Sequence, residues 1–151
     1  GPTILALSRQ NLPVIERNPS HEINLNKGAY IIYNCEDPDI IIFASGSEVS
    51  VSIEAAKLLQ NQGIKARVVS FPCWELFDTQ SDDYKKTILC QGTKKAVVEA
   101  GISMGWEKYA GNDAIFITME SFGQSGPAEA VAEFYGFTAE KIAQKIKDSL
   151  K

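Results

Sequence analysis

The residues able to do chemistry in this chain are few and lie far apart in the sequence. Arg9 stands in the run "ILALSRQN" at positions 4–11, just past four apolar residues. A guanidinium at a strand end, beside a hydroxyl and two amides, suits bidentate binding of a phosphate or a carboxylate. Its plainer use is a surface salt bridge. Glu99 sits near the C-terminal end of the apolar run 95–100, where open α/β sheets place their ligands. A single carboxylate there can serve as a general base. Its titratable neighbours in sequence are only Glu107 and Lys108. Trp106 and Tyr109, in the same stretch, are expected at an interface or a surface turn. Cys73 would need a base to act as a nucleophile; none is identifiable, and a structural thiol is expected. His21 is the single histidine, in the polar segment "NPSHE". It lacks the partners for a triad or a metal cluster and reads as a solvated loop residue.

Two glycine turns invite a closer reading. "FASGSEV" at 43–49 reads as a strand, a glycine turn and a helix N-terminus, the usual geometry of a phosphate site. The three-glycine fingerprint and the P-loop lysine are both absent. Glu48 also places its own charge where a phosphate would sit. Ser45 and Glu48 have the spacing of a capping box instead. "GQSG" at 123–126 misses the nucleophile-elbow spacing by one, and no suitable histidine follows. The loop 120–129 is expected to pack against a neighbouring domain. No complete catalytic constellation emerges from residues 14–151.

The elements that must carry these residues follow from hydrophobic pattern. Apolar or β-branched runs at 3–7, 29–33, 40–44, 66–71, 95–100 and 114–117 read as strands, several of them covered on both faces. Val49, Ile53, Ala56 and Leu59 make one helical stripe, closed by Gly63. Further helices are expected over 81–89, over 127–135 with Pro127 in the first turn, and over 138–150 with Thr138 as cap. Strands alternating with helices from residue 39 onward imply crossovers and a largely parallel sheet. The short loop 34–39 is too brief for a crossover, so strands 29–33 and 40–44 are expected to pair antiparallel. The predicted fold is a five-stranded mixed sheet, mostly parallel, with helices on both faces. Residues 14–28 are polar and irregular, a linker that separates strand 3–7 from the rest.

Composition bounds the function. The chain has 151 residues, enough for one domain with a real core. Fifteen basic against nineteen acidic residues leave a net charge of −4, which argues against a nucleic-acid partner. The longest apolar run is far too short to span a bilayer. Three widely spaced cysteines suit neither a disulfide framework nor a zinc site, and point to the reducing cytoplasm. The chain opens on Gly1-Pro2, which reads as a start inside a longer protein or after a processed tag.

Taken in order, "GPTILALSRQNLP", "KGAYII", "IIFASGSEV", "ARVVSFP", "VVEAGISMGWEKYAG", "SFGQSGPAE" and "YGFTAEKI" resemble the last part of transketolase along essentially the whole chain. The resemblance implies an α/β/α sandwich, with residues 1–13 the tail of a pyrimidine-binding domain, 14–28 a linker and 29–151 the transketolase C-terminal domain. It implies a homodimeric parent enzyme of the pentose phosphate pathway that moves a two-carbon ketol unit between sugar phosphates. That parent uses thiamine diphosphate and Mg2+ or another divalent metal, held by domains that precede this one. Of the family's site residues only Arg9 has a counterpart here, as a ligand of the substrate phosphate. No catalytic, cofactor or metal residue carries over, and the chain alone is expected to be inactive. A small-anion-binding regulatory module is the alternative expectation.

Overall fold

The computed structural model describes residues 2–7, 10–16 and 23–151. Twelve elements follow one another. A 3-10 turn, Leu25–Lys27, leads into β1 (Tyr30–Tyr33), β2 (Ile40–Ala44), α1 (Glu48–Gln60) and β3 (Ala66–Ser70). Then come α2 (Trp74–Asp78), α3 (Asp82–Leu89), β4 (Lys94–Glu99), α4 (Glu107–Ala110), β5 (Ile115–Thr118), α5 (Ala128–Tyr135) and α6 (Ala139–Ser149). The strands form one sheet in the order β1-β3-β2-β4-β5, parallel except for β1.

β2 shows why the sequence gives three layers. Its Ile40-Ile41-Ile42-Phe43-Ala44 is entirely buried. Side chains alternate across a strand, so each face of this run needs its own cover. Ile40, Ile42 and Ala44 pack with Val49, Ile53 and Leu59 of α1 and with Ile142 and Ile146 of α6. Ile41 and Phe43 pack on the other face with Phe77 of α2, Ile88 of α3 and Tyr109 of α4. Each fully buried isoleucine contributes roughly 1.5–3 kcal/mol. The expected α/β/α sandwich with a mixed five-stranded sheet is therefore observed.

Caps fix the helix boundaries. Thr138 Oγ1 accepts from the Lys141 N–H at 3.4 Å, and Ser81 Oγ from the Tyr84 N–H at 3.3 Å. Gly63 takes φ +81° just after α1. Pro127 sits at the N-cap of α5, one place before the expected first turn.

Three local expectations are corrected. Residues 3–7 form no strand; they are irregular and exposed, with Ile4 93% and Leu7 83% accessible. A lone strand has no ladder partner to satisfy its backbone, and no sheet edge receives it here. β1 runs antiparallel, but its partner is β3 and not β2. The loop 34–39 crosses the end of β3. Arg67 of β3 holds it there, donating from Nε to Asn34 Oδ1 at 2.8 Å and from a terminal nitrogen to the Cys35 carbonyl at 3.1 Å. Asp39 completes the crossing by accepting from the Lys65 N–H at 2.8 Å. Finally, the capping box at 45–48 does not form. Ser47 is the N-cap of α1 and makes no side-chain cap.

The linker segment is partly structured. Gly28 adopts φ +77°, and a Cβ there would lie 2.3 Å from the Phe77 nitrogen and 2.4 Å from the Cys73 oxygen. Its carbonyl accepts from the Cys73 N–H at 3.0 Å, so it seals the backbone against the start of α2.

Candidate functional site

The C-terminal ends of β2, β3 and β4 lie side by side, and the residues just beyond them line a cleft of about 320 Å3. Ser45 follows β2, Phe71 follows β3 and Glu99 ends β4. The parallel register pairs Ala44 with Val98. One step further along the same offset, Ser45 meets Glu99, and Ser45 Oγ donates to Glu99 Oε2 at 2.7 Å. Cys73, Trp74, Glu75, Ile102 and Trp106 complete much of the wall.

The electrostatics of this cleft are acidic. Burial pushes the Glu99 carboxyl above the ordinary carboxylate range; the Ser45 hydrogen bond opposes that, and the charge of Glu48 adds to it. Glu48 itself accepts from Ser47 Oγ at 2.8 Å. No Lys, Arg or His lines the cleft among the described residues. Cys73 Sγ lies 3.4 Å from Glu75 Oε2, and among the described residues no basic side chain lines the cleft beside it.

The glycine turn does not fit a diphosphate. Gly46 has the φ of +53° that such turns use, but Glu48 and Glu99 flank the helix N-terminus with negative charge. Among the described residues no group of three or more His, Cys, Asp or Glu is placed to hold a metal ion. The same charge opposes the expected small-anion site.

Trp106 and Tyr109 are not surface residues. They are 2% and 6% exposed, inside an aromatic cluster around Phe71. The Phe71 ring lies 4.8 Å from Phe77, 5.5 Å from Trp106 and 4.8 Å from Tyr109. Tyr109 and Lys108 both donate to the Asp78 carboxylate, clamping α4 to α2, and the Lys108 hydrogen bond holds that carboxyl below its ordinary value.

The loop 120–129 is exposed along its length, with Phe122 98% accessible. Tyr135 donates to the Phe122 carbonyl at 2.7 Å and fixes the loop to α5. A larger cavity of about 680 Å3 lies between α1, β1 and residues 13–16. Its walls include Val14, Ile15, Ile32 and Val51, and it gathers no reactive set. Arg9 and His21 lie outside the described residues.

Sequence reasoning placed Glu99 correctly at its strand end but missed Ser45 as its partner. The signal was the equal placing of both residues, one after the core of each parallel run.

Known proteins resemble this chain throughout. Residues 28–138 match the family described as the transketolase-like TK C-terminal domain. A transketolase of Aquifex aeolicus (strain VF5) is 43% identical over 149 residues, 97% of this chain and 22% of that protein. Among solved structures, a mutant transketolase from Pichia stipitis superposes with a TM-score of 0.85 at 38% identity, covering 94% of this chain and 20% of that one. A Pichia stipitis transketolase in complex with sedoheptulose-7-phosphate gives a TM-score of 0.77 at 39% identity, covering 82% and 18%. The chain spans about a fifth of the length of the curated relatives it matches.

Proposed function

Because this chain belongs to the transketolase family, matching its C-terminal domain, we propose that it serves as the C-terminal part of a larger enzyme that transfers a two-carbon ketol unit between sugar phosphates. The observation that carries this reading is the match of 97% of the chain to 22% of a transketolase. The sugar phosphate held by one structural relative supports the substrate class.

In this reading residues 1–13 close a preceding pyrimidine-binding domain, 14–28 link, and 29–151 form the C-terminal domain. The preceding domains hold thiamine diphosphate and Mg2+, as the family resemblance implies. Exposed Ile4, Leu5 and Leu7 fit a segment made to be covered by that missing domain. Phe122, Ile102 and Met104, 98%, 54% and 72% accessible, fit contact with the rest of a homodimeric parent in the cytoplasm. Arg9 binds the substrate phosphate, spending remote binding energy on placing the reacting carbonyl.

Two measurements test this. The 151-residue chain, supplied with thiamine diphosphate, Mg2+ and sugar phosphates, is expected to show no ketol transfer; turnover would overturn the division of labour. In the larger enzyme, Arg9→Ala should raise KM for phosphorylated substrates by more than tenfold, about 2–3 kcal/mol of lost charged contact. Unphosphorylated ketoses should be affected far less, and an equal effect on both removes the phosphate role.

A further inference from the structure

We draw no further inference here: the strongest candidate, the cavity of about 680 Å3 between α1, β1 and residues 13–16, is walled at one end by Glu16, beside residues 17–22 that lie outside the described ones, and nothing in the structure shows what covers it.

Discussion

Ser45 Oγ donates to Glu99 Oε2 at 2.7 Å, joining the ends of β2 and β4 across the crevice. This bond favours the charged carboxylate, while burial and Glu48 disfavour it, and the balance leaves Glu99 raised. Removing the hydroxyl takes away the one restraint. Ser45→Ala should raise the Glu99 titration midpoint further, followed by the side-chain carboxyl carbon shift in NMR. It should also lower stability at neutral pH by about 1–2 kcal/mol, since a half-buried carboxylate loses its partner. An unmoved midpoint would mean that the bond does not persist in solution.

The same shift sets a pH dependence. The unfolded chain ionises Glu99 in the ordinary range and the folded chain ionises it at higher pH. Between those values the folded state holds more protons, so stability falls as pH rises. The favourable contribution is complete below the ordinary carboxylate range and is lost as pH climbs through the raised value. Glu99→Gln removes this term. Thermal melts across that window should show the variant gaining on the wild type with rising pH, by less than about 1 kcal/mol because the group is partly solvated. A variant that loses ground to the wild type as pH rises would reverse the sign.

Gly28 allows no Cβ. Backbone atoms of Phe77 and Cys73 stand 2.3 and 2.4 Å from its ideal position, and φ is +77°. Neither contact is a flexible side-chain end that can swing away. Gly28→Ala should cost on the order of 3 kcal/mol, read as a lower denaturant midpoint at constant slope. A cost below about 1 kcal/mol would show that the 3-10 turn and α2 move apart freely.

How much of this was legible in the sequence depends on the range of the forces involved. Ile40 to Ala44 announced a strand buried on both faces, because a solid apolar run has no other stable place. Thr138 and the spacing of Ile142 and Ile146 announced α6, since capping and the helical stripe are local. The pairing of β1 was hidden. It depends on Arg67 gripping Asn34 and Cys35, contacts spanning more than thirty residues. The partner of Glu99 was hidden for the same reason: Ser45 lies 54 residues away, and only the parallel register brings it close. Local spacing suggested a capping box for that serine, and the tertiary hydrogen bond took precedence. Trp106 looked like an interface residue because nothing adjacent in sequence reveals that Phe43, Phe71 and Trp74 converge on it.

The cap of α6 offers a local test of sequence-encoded stability. Thr138 has extended backbone, and its hydroxyl accepts from the Lys141 N–H. Thr138→Ala leaves that donor without its side-chain acceptor and should cost about 1 kcal/mol. Hydrogen exchange should localise the effect to the first turn of α6, with the β2 and β4 amides unchanged relative to global unfolding. A uniform acceleration across the sheet would mean that α6 unfolds together with the whole domain.

Phe71 is the hub of the aromatic face, with ring centroids of Phe43, Phe77, Trp106 and Tyr109 between 4.8 and 5.8 Å away. It is 1% exposed. Truncating it leaves a cavity that four rigid rings cannot collapse to fill, so Phe71→Ala should cost about 3–5 kcal/mol. Phe71→Leu keeps most of the volume and should cost clearly less, because it forfeits ring geometry more than burial. The emission of Trp106 offers a second readout, since its indole stacks 6.5 Å from Phe43 and meets Phe71 edge-on at 5.5 Å. A red shift in Phe71→Ala without one in Phe71→Leu is the expected pair of results. Equal stability loss in both would show that ring contacts, and not the filled volume, hold this face of the sheet together.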